Sequence, residues 1–398
     1  MKNIYRILLL VVAVTAFART STAQYNSVKP VKVAIFIPLY ADQVFNAANI
    51  DNEGKFNLPK NVLPGLEFYN GVMMAIDSLA AEGACVDISI YDIKQTRQTL
   101  AVLLTLPELS DVGLMIAAIT NTAELKLFAD HALNNNIPLI SATYPNYVGV
   151  SENPFFVLLN SSFQAHLQGL YKHLQRYYSS KTVIAVTRKG GTAEDFIKTY
   201  FTNLNKSTSS IPLKIKWIAI DEKTMNISNF AANLDSTRSN VVFVASPIET
   251  FGLKVAQTLS SEPKYPVTAI GMPTWDNIKE LDGPTCSNID VVFSTPFVFY
   301  SQNPSLASSI NSRYFDKYYS RPSDMAFKGF ENTYHFTKLF IKHKANLVNN
   351  LTDTAFTVFN KFDLQPIKLK SENVKPDFLE NKKLYFIKKQ AGTVKSII

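Results

Sequence analysis

The sequence predicts an α/β protein of two Rossmann-like lobes, each with a parallel sheet, joined by hinge strands. Short runs of β-branched and apolar residues alternate with runs of helical apolar spacing, which is typical of parallel doubly wound sheets. The alternation occurs in two successive series, and a chain of 398 residues is long enough for two lobes. The first run, VKVAIFIPL at residues 31–39, is almost continuously apolar, which indicates a central strand buried on both faces.

The first series follows that strand. Residues 65–79 place apolar side chains at helical spacing and end near Gly83, so they predict a helix. The remaining elements of this series are a strand at 86–91, a helix at 96–106, a strand at 112–118, a helix at 123–134 and a strand at 138–141.

The second series starts with a helix at residues 163–178. Its later elements are a strand at 182–187, a helix at 193–204, a strand at 214–219, a helix at 227–235, a strand at 241–245, a helix at 251–259, and strands at 267–271 and 290–294. Residues 147–160 and 295–300 are expected to cross between the lobes.

Three further elements follow the second crossing. Helices at 304–319 and 326–343 are expected to complete the first lobe, and a strand at 383–388 lies in a Lys-rich tail. The resulting division is residues 30–158 plus 296–345 for the N-terminal lobe and residues 159–295 plus 346–390 for the C-terminal lobe.

The composition is that of an ordinary globular protein, with 46% hydrophobic and 18% charged residues. It excludes disordered, collagen-like and polytopic membrane proteins. The net charge of +8 comes from the two ends, since residues 24–341 hold 26 basic and 27 acidic groups whereas residues 342–398 hold eleven Lys and five acids. A short basic tail without clustered Arg is typical of a solvated surface, so we expect no binding of nucleic acid.

Residues 1–23 have the pattern of a secretory signal peptide. A charged start is followed by an apolar run at residues 7–18 that is too short to span a bilayer, and small residues precede the expected cleavage site after Ala23. A lipid anchor would need Cys directly after that site, but the first cysteine is Cys85. We therefore expect a periplasmic monomer that begins at Gln24 and has no membrane anchor.

No common catalytic motif occurs in the chain. The patterns GxxxxGK[ST], GxGxxG after a strand, GxSxG and HExxH are absent, and the five histidines do not have the spacing of metal ligands. The sequence therefore predicts a protein that is not an enzyme and uses neither a cofactor nor a metal.

Polar residues follow three strands of the first lobe. Ligands of doubly wound folds bind beyond the carboxyl ends of the strands, where helix N-termini offer free N–H groups. The run at residues 120–122 precedes a helix there, so its side chains either cap that helix or bind a carboxylate. The next strand end offers two hydroxyls and an aromatic ring, which either bind the ligand or form a turn. The candidate binding residues of this lobe are Tyr40, Thr120, Asn121, Thr122, Thr143 and Tyr144.

Three strand-end loops of the second lobe supply further candidates. Arg188 lies in a Gly-containing turn that either admits an anion or is simply a flexible exposed turn. Glu249 is placed either to interact with a helix dipole or to bind a cation. Trp275, one of two tryptophans, is either a lid on the core or an aromatic platform facing the cleft.

Taken in order, these segments resemble the type I periplasmic binding proteins, in particular the Leu/Ile/Val-binding receptors of ABC importers. The resemblance extends over residues 31–345. The segments that carry it are VKVAIFIPLY, NGVMMAIDSLAAEGACVDISIYD, LMIAAITNTAELKLFADHALNNNIPLISAT, KTVIAVTRKGGTAEDFIKTY and SNVVFVASPIETFGLKVAQTL. The stretch GMPTWDN, residues 315–329 and the tail from Phe359 are similar to a cell-envelope branch common in Bacteroidota.

The resemblance implies which residues hold the α-carboxylate of a ligand. Thr122 matches the hydroxyl position before the third helix, and Thr143 and Tyr144 match the region at the next strand end. Receptors of this family also place an acidic residue of the second lobe against the α-ammonium, near residues 272–275, where this chain has none. Asp276 lies nearby but out of register.

The expected function is capture of a small polar ligand between two lobes by hinge closure, with amino acids and amides as the candidate ligands. The captured ligand would serve an ABC-type importer or an envelope sensor, so the expected partner is a permease or another envelope protein. The alternative is a ligand-free binding-fold scaffold that acts as a cell-envelope interaction protein.

Overall fold

Two seven-stranded sheets organise the computed structural model of this protein, which describes residues 29–44, 58–299, 303–390 and 393–397. Within these ranges the chain is α/β with two lobes, as the sequence predicts. Most neighbouring strands are parallel, and helices connect them. The signal peptide expected at residues 1–23 lies outside the described residues.

The first stretch of the chain builds most of the first lobe. Its elements are β1 (Val31–Ile37), α1 (Ala41–Val44), α2 (Leu63–Ala81), β2 (Val86–Asp92), α3 (Leu100–Leu103), β3 (Leu114–Ala117), α4 (Thr122–Asn135), β4 (Leu139–Ser141) and β5 (Phe156–Leu158). β1 pairs in parallel with both β2 and β3, so the apolar run at the start is an interior strand, as expected.

The next stretch forms the second lobe. Its elements are α5 (Phe163–Tyr178), β6 (Thr182–Arg188), α6 (Thr192–Ser207), β7 (Lys214–Ile220), α7 (Ser228–Ala231), β8 (Asn240–Val244), α8 (Glu249–Ser260), β9 (Val267–Ile270) and β10 (Ile289–Thr295). These five strands pair in parallel with one another, which is the doubly wound pattern expected from the alternation, whereas β10 pairs antiparallel with a later strand of the chain.

The rest of the chain returns to the first lobe and then re-enters the second. Its elements are α9 (Pro304–Tyr318), α10 (Asp324–His343), β11 (Leu364–Ile367), β12 (Phe378–Asn381), β13 (Tyr385–Gln390) and β14 (Thr393–Ile397). The strand orders are β11-β12-β5-β4-β3-β1-β2 and β14-β13-β10-β9-β8-β6-β7. The chain therefore crosses between the lobes after β5, after β10 and after β12.

The C-terminal segment divides between the lobes, whereas the sequence placed residues 346–390 in the second lobe as a whole. β12 pairs in parallel with β5, with Leu379 opposite Val157, and Phe359 and Phe362 are buried in the first-lobe core. Only β13 and β14 join the second sheet. Apolar residues suit either core equally well, so strand pairing rather than local pattern determines the lobe.

Two predicted helices are much shorter than expected. Residues 96–106 contain only α3. Leu106 is extended, because Pro107 sterically disfavours the helical conformation of the residue that precedes it. Residues 227–235 contain only α7. Asp235 at the end of that range accepts hydrogen bonds from the N–H and the hydroxyl two residues later, and such local bonds compete with a helix.

The two cysteines lie in different lobes. Cys85 is exposed just before β2, and Cys286 is buried in the core of the second lobe. They do not form a disulfide with each other. No disulfide therefore joins the lobes, and the fold is held by apolar clusters on both faces of each sheet.

Candidate functional site

The turn before α4 is held together by Glu124, which is not among the binding residues predicted from the sequence. The N–H and the hydroxyl of Thr120 both donate to Glu124 Oε2 at 2.9 Å, and Asn121 Oδ1 accepts from the Glu124 N–H at 3.0 Å. Glu124 is buried and forms an ion pair with Lys94. Thr120 and Asn121 therefore serve the helix N-terminus, and the spacing of Asn121 and Glu124, typical of a capping box, is the sequence signal for it.

Thr122 and Tyr144 meet at the carboxyl edge of the first sheet, as expected from neighbouring strand ends. Their hydroxyl oxygens are 2.9 Å apart, and the pair is exposed. Thr143 instead donates its hydroxyl to the Ile119 carbonyl at 2.8 Å, so this side chain is used within the lobe. The Thr143 carbonyl accepts from Asn160 Nδ2 at 2.6 Å, which ties this strand end to the first crossing.

Tyr40 lies just after β1 in a loop that Asp92 holds. Its φ of 54° is in the left-handed region, and its N–H donates to Asp92 Oδ1 at 3.3 Å. The N–H groups of Leu39 and Ala41 donate to the same carboxylate, each at 2.9 Å. The Lys94 ammonium lies 5.8 Å from the centre of the Tyr40 ring. Tyr40 therefore reaches the expected edge of the sheet, with its ring beside a cation.

Arg188 contacts a buried carboxylate of its own lobe. Its Nε donates to Glu194 Oε1 at 3.4 Å, and the Ser246 hydroxyl donates to the same oxygen at 2.5 Å. Glu194 is 1% exposed, and its Oε2 has no hydrogen-bond partner among the described residues. Since a buried carboxylate needs a nearby cation, Arg188 serves first to neutralise Glu194.

Glu249 is exposed at the start of α8. Its Oε1 accepts from Asn277 Nδ2 at 3.0 Å. The contact joins two strand-end loops of the second lobe, those after β8 and β9, and the carboxylate remains open to solvent.

Trp275 is a core residue, so its interpretation as an aromatic platform in the cleft is wrong. Its side chain has no solvent exposure and belongs to the apolar core of the second lobe. A Cβ built on Gly271 would lie 1.9 Å from the indole ring, and one on Gly252 would lie 2.4 Å from its Nε1. The indole therefore rests directly on the backbone at two positions where no side chain would fit.

A cavity of about 290 Å³ lies between the lobes. The lining residues that matter most are Asn160, Phe163, Thr274, Asp276, Phe297 and Lys328. A second cavity, of about 440 Å³, shares Asp276, Thr295 and Phe297 with the first and adds Asp324. The two cavities are therefore neighbouring parts of one cleft between the lobes.

Lys328 and Asp276 bring opposite charges into this cleft from opposite lobes. The Lys328 ammonium lies 4.6 Å from the centre of the Phe297 ring and forms no ion pair within the described part of the chain. Burial lowers the pKa of Lys328, although the nearby carboxylates of Asp324 and Asp276 act in the opposite direction. The cleft can therefore hold an anionic or accepting group at one wall and a donor group at the other.

Asp276 is exposed to water, yet the surrounding atoms displace part of its solvation. Desolvation raises the pKa of Asp276, and repulsion from Asp324 raises it further. A ligand cation or N–H donor beside Asp276 would lower the pKa of this carboxyl again, because it favours the charged carboxylate. The site thus has a carboxylate that a donor group would stabilise.

His166 lies on the second-lobe side of the same cavity. Its Nδ1 is 2.8 Å from the Ser294 hydroxyl, which links α5 to β10, and the side chain is buried. Burial lowers the pKa of His166 to about 3, so the ring is neutral at neutral pH. It contributes a fixed polar surface rather than a charge.

Lys328 is not among the binding residues predicted from the sequence. This residue lies in AFKGF, where the neighbouring residues Ala326, Phe327, Gly329 and Phe330 are buried. A single Lys among buried positions of an apolar helix is the signal that could have identified it.

Across the described residues, no group of His, Cys, Asp and Glu has an arrangement that would hold a metal ion. No helix in this part of the chain combines the length and apolarity needed to cross a bilayer.

No protein-family model matches the sequence, and no curated protein matches it. The fold, in contrast, is similar to that of many solved structures. A Rhodospirillum rubrum protein assigned to a branched-chain amino acid ABC transporter is 13% identical, with a TM-score of 0.64 over 92% of this chain and 100% of that one. An ABC transporter substrate-binding protein from Desulfitobacterium hafniense, in complex with Leu, is 12% identical, with a TM-score of 0.56 over 92% and 100%.

A third similar structure is the branched-chain amino acid transporter substrate-binding protein of Streptococcus pneumoniae in complex with isoleucine. It is 14% identical, with a TM-score of 0.52 over 93% of this chain and 99% of that one. These likenesses show that the chain has the type I periplasmic binding protein fold, so the predicted fold class is confirmed.

Proposed function

We propose that this chain, which has the type I periplasmic binding protein fold, is a solute-binding protein that captures a small polar ligand between its lobes. The observation that carries the proposal is the cleft that Lys328 and Asp276 line from opposite sides. Two similar structures contain Leu and isoleucine, which supports an amino acid or an amide as the ligand. The role requires binding and release only, without a catalytic step.

The two charged side chains define how such a ligand would lie. The Lys328 ammonium holds a carboxylate or carbonyl oxygen of the ligand, and Asp276 accepts from its ammonium or amide N–H groups. Because the two residues belong to different lobes, a ligand that contacts both stabilises the closed arrangement. Closure also removes the ligand from water, which strengthens both charged contacts.

We further propose that the protein is exported to the periplasm and presents its closed form to the permease of an ABC-type importer or to an envelope sensor. The signal-peptide pattern of residues 1–23 and the transport proteins among the similar structures support this assignment. Mass spectrometry of the periplasmic fraction should show Gln24 at the N-terminus. A chain that retains residues 1–23 and stays in the membrane fraction would contradict it.

A ligand-free envelope scaffold is the second candidate function, and one set of observations favours it. Several residues expected to bind a ligand are instead engaged within their own lobe: Thr120, Asn121, Thr143, Arg188 and Trp275. A protein that had lost its small ligand would retain such internal contacts.

Ligand screening separates the two candidates. A thermal-shift screen over amino acids, amides, nucleosides and short peptides should give a hit, since a ligand at 100 times its Kd stabilises by about 2.7 kcal/mol. Lys328→Met and Asp276→Asn should then each weaken binding by roughly 10- to 100-fold, because a hydrogen bond to a charged group is worth about 1.5–3 kcal/mol.

The matched control is Lys216→Met, which removes an exposed Lys of β7. This variant should bind as the wild type does, and circular dichroism should show the same fold in all three variants. Absence of any hit, or equal affinity in the cleft variants and the control, would favour the scaffold.

A further inference from the structure

A separate groove of about 450 Å³ lies beside the third crossing and shares no lining residue with the cleft cavities. One wall is formed by Lys172 and Arg176 of α5 in the second lobe, and another by Gln365 of β11 in the first. Lys383 and Leu384, in the crossing itself, also line it. We call this depression the hinge groove, because its walls belong to both lobes and to the segment that joins them.

Cations predominate in the hinge groove. Lys172, Arg176 and Lys383 form no ion pair among the described residues, and the last two lie over aromatic rings at 5.5 and 5.2 Å. The acidic residue that lines the groove, Asp363, accepts a hydrogen bond from Gln365 Nε2 at 2.5 Å. Three cations without an anionic partner, gathered around one concave surface, create a positive potential there.

Lys382 also lines the groove but is engaged elsewhere, since it forms an ion pair with the buried Glu380. It therefore adds less to the positive potential than Lys172, Arg176 and Lys383.

A buried imidazole borders the same groove. His173 is 5% exposed, and its Nε2 forms no hydrogen bond within the described part of the chain. Its ring stacks on Phe386 with centres 4.0 Å apart, and both residues line the groove with Leu384. Burial, with a smaller effect from Arg176, lowers the pKa of His173 to about 4, so the ring is neutral at neutral pH. Buried polar atoms rarely lack a partner, so this one indicates a missing polar group.

We propose that the hinge groove is a second ligand site, for a small organic anion that joins an anionic oxygen group to an apolar body. The anionic group contacts Lys172, Arg176 and Lys383 and supplies the hydrogen-bond partner that His173 Nε2 lacks, and the apolar body packs against Leu384 and Phe386. A molecule in this position touches both lobes and the crossing, so it biases the angle between the lobes. The proposal does not rest on the function of the cleft, because the two sites have no residue in common.

Calorimetric titration with phenyl phosphate tests the site directly. Saturable binding to the wild type is expected, and the double variant Lys172→Ala/Arg176→Ala should weaken it about tenfold or more, since two charged contacts are lost. The matched control, Lys206→Ala/Lys214→Ala, removes two exposed Lys from the same lobe outside the groove and should bind as the wild type does.

Two further probes test the two halves of the proposed ligand. Phenol lacks the charge and inorganic phosphate lacks the apolar body, so each should bind more weakly than phenyl phosphate. Circular dichroism shows whether the double variant folds. If it does not, Lys383→Ala, which removes one cation of the groove, should still weaken the binding of phenyl phosphate. The proposal is overturned by an absence of saturable binding of millimolar phenyl phosphate to the wild type, or by an equal loss in the control variant.

Discussion

Glu331 and Asn360 are joined by two buried hydrogen bonds, from the Asn360 N–H at 2.6 Å and from its Nδ2 at 2.7 Å. The Phe359 N–H donates to the same carboxylate at 2.8 Å. Asn360 Oδ1 in turn accepts from the Val298 N–H at 2.8 Å, in the second crossing. A single buried carboxylate of α10 thus connects the first lobe to a segment that joins the lobes.

The stability of the protein should depend on pH through Glu331. Burial raises the pKa of Glu331 to about 7 from a usual value of 4.5, although the hydrogen bonds from Asn360 and Phe359 oppose the shift. Between these two pH values the folded protein keeps a proton that the unfolded chain releases. The stabilisation is therefore complete below about pH 4.5 and is lost as the pH rises through about 7.

Glu331→Gln should remove this dependence. Urea unfolding of the wild type should show a fall of about 3 kcal/mol across the window, since a tenfold change in proton affinity corresponds to about 1.4 kcal/mol. The variant should lack that fall, and the exposed control Glu372→Gln should retain it. Parallel profiles for the wild type and Glu331→Gln would refute the assignment.

His166 should produce the opposite dependence at acid pH. Its pKa is about 3 in the folded protein and 6.5 ordinarily, so the unfolded chain binds a proton first as the pH falls. The stabilisation is present above about pH 6.5 and is lost as the pH falls toward 3. His166→Gln should reduce the loss between about pH 6.5 and 5 by about 2 kcal/mol, measured by urea unfolding. An unchanged acid profile in the variant would argue against a neutral buried imidazole.

Trp275→Ala should destabilise the second lobe by about 3–5 kcal/mol, because it leaves a cavity against Gly252 and Gly271. Trp275→Phe should cost less and remain folded. Because Trp275 does not reach the cleft, the Phe variant should bind the cleft ligand with nearly wild-type affinity by calorimetry. A loss as large as that of Lys328→Met would place Trp275 in the site after all.

Thr122→Val removes one hydroxyl of the exposed Thr122–Tyr144 pair and keeps the shape of the side chain. The effect on stability should be within about 0.5 kcal/mol, because the pair is exposed. We expect its effect on ligand affinity to be smaller than that of Lys328→Met, since Thr122 does not line the cleft cavity. The reverse order of affinities by calorimetry would move the ligand's anionic group to the Thr122 edge, where the family resemblance places it.

The sequence by itself determined the order of most elements and the sheet edge where polar residues collect, although it predicted none of β5, β11, β12 and β14. The helix expected at residues 163–178 is α5 over the same residues, and the apolar run at residues 31–39 is an interior strand. These features depend on local periodicity and on runs of buried side chains, which can be read along the chain. The meeting of Thr122 and Tyr144 follows as well, because neighbouring parallel strands end at the same edge.

Only the tertiary structure decided which polar and aromatic side chains face the cleft. Trp275 and Lys328 both lie in mixed segments, yet the indole enters the core over two glycines while the ammonium points between the lobes. The tertiary structure likewise decided the lobe to which β12 belongs, since β12 joins the first sheet by pairing with β5. Burial and strand pairing depend on residues far away in the sequence, so no local pattern specifies them.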